Sequence, residues 1–239
     1  MFLITVVTIF PDMFPGPLGH SLPGKKKGKI WELRIVNIRD FANNKHNKVD
    51  DTPYGGGSGM IMKPDVIHSA LLQALVVYER APKILFMTPR GQMFSDELAR
   101  KIVENNDSGV VILCGRYEGV DQRVIDFWKE NYGMQEISIG DYIMFGGEIP
   151  AMVVIETCLR YRPGIMGNPD SVKNESFSFD LLEYPQYTKP IKWNGRSVPP
   201  VLVSGHHKKI EAWKNQQAEK ITQSVRPDLW KKYMKAYRF

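Results

Sequence analysis

Short apolar runs rich in β-branched residues alternate along this chain with longer stretches of helical spacing. "FLITVVTI" (Phe2–Ile9) reads as a buried strand, and the alternating "ELRIVNI" (Glu32–Ile38) as a second. "KILFMT" (Lys83–Thr88), "GVVILC" (Gly109–Cys114) and "QEISI" (Gln135–Ile139) read as further strands. The helices between them carry start signals. Pro64 opens "PDVIHSALLQALVVYER" at a first helical position. Ser95 caps a helix whose first turn holds Asp96 and Glu97, where carboxylates favour the helix dipole. "VDQRVIDFWKEN" and "IPAMVVIETCLRY" (Ile149–Tyr161) complete the set. Strands alternating with helices predict an α/β fold on a parallel sheet. The last helix is apolar on nearly every side, which predicts burial, with a subunit interface as one way to achieve it. Between the first two strands, "GPLGHSLPGKKKGK" reads as a loop and its lysine run as a solvated turn.

After Arg162 the pattern stops. "RPGIMGNPDSVKNESFSFD" is rich in Pro, Gly, Asn and Ser and has no periodicity, which marks a linker. The expected layout is an α/β domain at 1–162, a flexible linker at 163–175 and a small, mostly helical domain at 176–239. Charge separates the same regions. Residues 1–205 hold 23 Lys and Arg against 23 Asp and Glu, so the net +6 comes from residues 206–239. A basic tail on a neutral body suits a polyanionic partner such as nucleic acid. A solvated, lysine-rich helix gives the same count.

The runs are too short to span a bilayer. No basic stretch, apolar core and small-residue cleavage site open the chain, so a signal peptide is not expected. Cys114 and Cys158 are the only cysteines, each within an apolar segment. Buried thiols in a reducing cytoplasm fit them better than a secreted disulfide framework.

"VDDTPYGGGSGM" (Val49–Met60) sets two carboxylates before four glycines in five residues. A Walker loop needs Gly-Lys-Ser/Thr at its end, and a dinucleotide fingerprint needs G-x-G-x-x-G between strand and helix. Neither is present. Bare backbone for the close approach of a ligand, and a tight turn, both remain open. Other loops share this character: "TPRGQ" after Thr88, "GRYEGVD" after Cys114 and "GDYIMFGGE" after Ile139. Ligands of open α/β sheets bind at the carboxyl ends of strands. Loops of this kind would present many main-chain donors and acceptors to a flat heterocycle.

Taken in order, "VDDTPYGGGSGM", "CGRYEGVDQRV", "SIGDYIMFGGEIPAM", "LLEYPQYTKP" and "VPPVLVSGHHKKI" resemble the signature blocks of the bacterial tRNA (guanine-N1)-methyltransferases, the TrmD type of the SPOUT superfamily. The resemblance spans nearly the whole chain. It implies methyl transfer from S-adenosylmethionine to N1 of guanosine 37 in tRNA. It also implies a homodimer with active sites at the subunit interface, a deep trefoil knot in the α/β domain and a magnesium dependence. Topology rules alone would have rejected the knot.

Carried over residue by residue, the resemblance assigns cofactor binding to Phe86, Pro89, Gly115, Ile139, Gly140, Asp141, Tyr142, Ile143, Met144 and Gly146. Arg160 matches an arginine acting on the target guanine, and Glu175 falls where the family's catalytic aspartate stands. Substrate contacts fall to His46, Asp50, Gly59, Glu118 and His207, with Glu118 also a candidate for magnesium or the cofactor's amine. Ion pairing of Glu118 with Arg116 or Arg123 is the structural alternative. This chain departs from the pattern at Phe86, where tyrosine is usual, at Phe145, usually small and polar, and at residues 16–30, which lack a "GRA" motif. N1 of neutral guanine carries a proton, so a carboxylate must remove it as the methyl arrives, while a guanidinium suits the charge growing on O6. Two rivals stand: an RNA-binding module without catalysis, and a methyltransferase for a small molecule.

Overall fold

In the computed structural model, which describes residues 1–43, 46–104, 108–167 and 175–237, the chain separates into two compact units, Met1–Gly167 and Asn168–Phe239. The first unit runs β1 (Phe2–Thr8), α1 (Ser21–Lys26), β2 (Trp31–Asn37), β3 (Asp50–Asp51), β4 (Ile61–Met62), α2 (Pro64–Leu75) and β5 (Lys83–Met93). It continues with α3 (Asp96–Val103), β6 (Val110–Cys114), α4 (Gln122–Tyr132), β7 (Gln135–Ser138) and α5 (Glu148–Arg160). Five strands form one parallel sheet in the order β2-β1-β6-β5-β7.

The two-residue period of the strands divides the core. Phe2, Ile4, Val6, Leu85, Val110 and Ile112 face a cluster that includes Ala99 and Ile102 of α3 and Val154, Ile155 and Leu159 of α5. Val7, Ile84, Phe86, Val111 and Leu113 face a second cluster that includes Ile67 and Leu71 of α2 and Ile125 and Trp128 of α4. Both faces of the sheet are covered, which is why its central strands carry no polar alternation.

Local signals explain most boundaries. Ser95 Oγ accepts from the Leu98 N–H, capping α3. α4 ends at Gly133 in the left-handed region, φ 66°. α2 stops at Leu75, short of the expected Arg80, where Arg34 Nη1 donates to the Gln73 and Ala74 carbonyls. The chain then turns so that the Tyr78 hydroxyl donates to the Val110 carbonyl and meets Thr5 Oγ1 at 2.9 Å. Burial pushes the Tyr78 hydroxyl up to about 12.

The structure corrects the expectations in the first two of the following places and adds detail in the others. The segment read as a loop at Gly16–Lys29 contains α1, with Lys25 and Lys26 in its last turn. β5 does not end at Thr88 but resumes after an irregularity, since Met87 and Gln92 both pair with Ile137. α5 buries Ala151, Met152, Val154, Ile155, Cys158 and Leu159 but leaves Ile149 and Val153 exposed along one stripe. In the second unit a hairpin accompanies the helices: β8 (Lys192–Trp193) and β9 (Arg196–Ser197) flank Asn194 and Gly195, both at positive φ.

The rest of the second unit is α6 (His207–Val225) and α7 (Pro227–Tyr237). Thr222 Oγ1 donates to the Ala218 carbonyl and accepts from the Leu182 N–H, tying the extended segment to α6. The expected linker falls largely on 168–174, outside the described residues. Among the described residues no helix is long and apolar enough to cross a membrane. Both cysteines are free and buried.

Candidate functional site

A cavity of about 780 Å³ opens at the carboxyl ends of β5, β6 and β7. Its walls are Phe86–Arg90, Gly115–Gln122, Ile137–Gly140 and Tyr142–Gly147, completed by Tyr54, Ile61 and Pro150. The size suits a nucleoside-sized ligand. Of the cofactor candidates, Phe86, Pro89, Gly115, Ile139, Gly140, Tyr142, Ile143, Met144 and Gly146 line it; Asp141 does not. The Phe86 ring packs so close to Gly115 that a Cβ there would lie 3.1 Å from it. Cys114, the last residue of β6, is fully buried, and burial pushes its thiol well above the usual range. It is no thiolate nucleophile.

The glycine tract is fixed to this cavity by main-chain bonds. The Glu118 N–H donates to the Met60 carbonyl, the Met62 N–H to the Gly119 carbonyl, and the Asp121 N–H to the Met62 carbonyl, at 2.9–3.1 Å. Gly55, Gly56 and Gly57 stand at φ 90°, 78° and 119° with open space where a Cβ would go. The positive φ at all three favours glycine by itself. Gly59 differs: a Cβ there would lie 2.3 Å from Glu118 Cγ. Of the paired carboxylates, Asp51 holds the loop. It accepts from the Thr52 N–H and from Lys48 Nζ, and those bonds lower its pKa.

The loops are joined by a pair of residues that sequence reading passed over. Glu148, at the N-terminus of α5, is fully buried. Its Oε1 accepts from Thr8 Oγ1 and its Oε2 from Arg116 Nε, both at 2.7 Å. Arg116 Nη1 also donates to the Phe145 carbonyl, and its guanidinium lies 4.4 Å from the centre of the Phe10 ring. The Gly147 N–H donates to the Gly115 carbonyl beside this pair. Arg123 is held by Asp121. Both arginines named as structural partners for Glu118 are therefore bonded to other carboxylates, and Glu118 lines the cavity. A spacing of 32 residues between Arg116 and Glu148 leaves no local trace in the sequence.

The family model described as tRNA (Guanine-1)-methyltransferase TrmD matches residues 2–232. The chain belongs to this family. Among its curated relatives, the tRNA (guanine-N(1)-)-methyltransferase of Rhodospirillum rubrum is 47% identical over 232 residues, covering 97% of this chain and 93% of the relative. That of Ehrlichia ruminantium strain Gardel is 50% identical over 231 residues, covering 96% and 95%. That of Brucella melitensis biotype 1 is 49% identical over 239 residues, covering 99% and 95%.

Not every residue that the TrmD resemblance singled out stands in the cavity. Arg160, the last residue of α5, borders a separate small hollow with Ser21, Leu22 and Glu156. Glu175 belongs to the second unit, where its carbonyl accepts from the Ser178 N–H. Asp50 lies in β3, paired with Met62, and His207 opens α6. His46 is exposed on the segment before β3. Among the described residues no group of three or more His, Cys, Asp or Glu is placed to hold a metal. The Phe145 ring is 95% exposed at the cavity rim and Tyr54 99%, an apolar edge to an otherwise main-chain-rich site.

Proposed function

We propose that this chain methylates N1 of guanosine 37 in tRNA, with S-adenosylmethionine bound in the cavity at the ends of β5, β6 and β7. The observation that carries the reading is the family match over residues 2–232, which takes in every loop that lines the cavity. Phe86, Ile139, Ile143 and Met144 supply apolar wall for the adenosine, and the glycines leave main-chain groups to read its edge. Glu118 faces the same space and would pair with the ligand's amine. S-adenosylmethionine supplies an electrophilic methyl on a sulfonium. Glu175 takes the N1 proton and Arg160 stabilises charge on O6. No step is routed through magnesium, because Glu118 lacks companion ligands among the described residues.

The reading includes a homodimer. Arg160 borders a hollow apart from the cavity, and the exposed Ile149 and Val153 give α5 an apolar stripe for a partner. It also includes the knotted threading of the first unit, residues 176–239 as a tRNA-binding domain behind a linker at 163–175, Asp50, His46, Gly59 and His207 as RNA contacts, and a cytoplasmic location.

The test is transfer of labelled methyl from S-adenosylmethionine to an unmodified tRNA transcript bearing G37, beside one bearing A37. Label is expected on the first and not on the second. Tight tRNA binding without transfer would make the chain a binding module instead. Transfer to a small acceptor, without salt-sensitive tRNA binding, would make it a different methyltransferase.

A further inference from the structure

Gly146 and Arg116 occupy one space. A Cβ on Gly146 would lie 2.2 Å from Arg116 Nε and 2.3 Å from its Cδ. Such a clash is cheap when the neighbour is a free side-chain end, but this one is pinned. Arg116 Nε holds the fully buried Glu148 carboxylate, Nη1 the Phe145 carbonyl and Nη2 the Met13 sulfur, while the guanidinium covers the Phe10 ring. Those partners come from the segment after β1, the loop following β7 and the start of α5. The main chains of Arg116 and Gly146 also form an isolated antiparallel bridge. Gly146 is not at positive φ, so its own backbone does not demand glycine.

A buried ion pair is weak support for stability, because a well-packed apolar pair of the same volume does as well. Its planar, multi-donor geometry is harder to replace. We propose that Gly146 is bare to admit the Arg116 guanidinium and not the ligand, and that the Arg116–Glu148 pair is a positioning element that holds the Gly115–Gln122 wall and the loop after β7 at ligand-binding distance. Arg116 then acts through the loops without touching the reacting atoms. The proposal rests on the reading of the cavity as the S-adenosylmethionine site.

A double-mutant cycle on the full-length chain tests it, with S-adenosylmethionine affinity measured by calorimetry for wild type, Gly146→Ala, Arg116→Ala and the double variant. Each single change should weaken binding by about 10-fold or more, within the range of coupled neighbours. The double variant should bind no worse than Arg116→Ala alone, since both changes disable the same strut. Losses that multiply would overturn the proposal, as would unchanged affinity in Arg116→Ala. If that variant does not fold, Arg116→Lys replaces it in the cycle, keeping the charge but not the fork. The same cycle read from urea midpoints needs no ligand. Coupling in stability together with multiplying losses in affinity would reduce the pair to a structural role and overturn the proposal. Failure of wild type to bind S-adenosylmethionine sinks the reading of the cavity, while additive urea midpoints sink the strut itself.

Discussion

The two units differ in what they bury. The first covers both faces of a parallel sheet and adds a buried carboxylate–guanidinium pair beside its cavity. In the second, among the described residues, only Ala218, Thr222 and Leu229 are buried, and residues 206–239 carry nine basic side chains against three acidic ones. A small ligand held by main-chain groups needs walls fixed to a fraction of an ångström, and dense packing supplies that. A polyanion is attracted across roughly 8–10 Å of salt solution, and no dense core is needed for that. The difference teaches that precision and charge have been given to separate parts of the chain.

The comparison is sharpened first by asking whether the second unit also supplies chemistry. Glu175→Gln keeps the side-chain shape but cannot take a proton, so kcat should fall on the order of 100- to 10,000-fold. Affinity for S-adenosylmethionine should hardly change, and Glu175→Asp should keep substantial activity. Turnover near the wild-type rate in Glu175→Gln would move the base elsewhere, with Asp50 next to be tested.

Packing gives the next effect in size. Leu85 is fully buried in the sheet, and Leu85→Ala should cost about 4 kcal/mol in denaturant unfolding. Leu229→Ala, in a unit with few buried neighbours, should cost about 2 kcal/mol. Equal costs would remove the contrast in packing.

Charge gives a smaller and more specific effect. Lys208 and Lys209 are exposed in the first turn of α6. Changing both to Gln should flatten the plot of log tRNA affinity against log salt by about 0.7–0.9 per lost phosphate contact. Lys25→Gln with Lys26→Gln, on α1 of the first unit, should leave the slope unchanged. An equal loss from α1 would spread the RNA surface over both units.

The smallest effect concerns pH. The Arg226 guanidinium, bonded to Asp228 at 2.6 Å, holds its carboxyl down to about 2. An unfolded aspartate titrates near about 3.9, so the pair's contribution is present above about pH 4 and is lost as pH falls through about 2. Asp228→Asn should be slightly less stable than wild type near neutral pH, as expected for an exposed pair. The gap should close between about pH 4 and pH 2 in helix content followed by circular dichroism.

The sheet and its flanking helices were legible because their signals are local. Continuous apolar, β-branched runs marked β1 and β6, and a serine cap with two acids marked α3. α1 was not legible because Pro23 and Gly24 sit inside it, residues that normally break a helix. The hairpin was not read: Asn194–Gly195 is a turn signal, but strands of two residues carry no alternation to support it. At the site, glycine-bearing loops after strands pointed to the cavity. The pair that ties them was invisible, because Arg116 and Glu148 meet only through the crossover from β6 to α5. The glycines also concealed different causes. Gly55–Gly57 serve the turn, Gly59 makes room for Glu118 and Gly146 for Arg116, and composition cannot separate a conformational need from a steric one.

Because Met87 and Gln92 both pair with Ile137, the residues between them leave the sheet and return to the same rung. Pairing resumes at the residue of β7 where it stopped. Substitutions at Thr88, Pro89 and Arg90, which border the cavity, meet no pairing constraint from Ile137. Gly91 is the exception, since a Cβ there would lie 2.3 Å from the Ile137 nitrogen. The detour behaves as a cassette with one fixed hinge pin. It gives a lineage, or an engineer, a place to alter ligand preference by substitution, insertion or deletion while the architecture beneath is inherited unchanged.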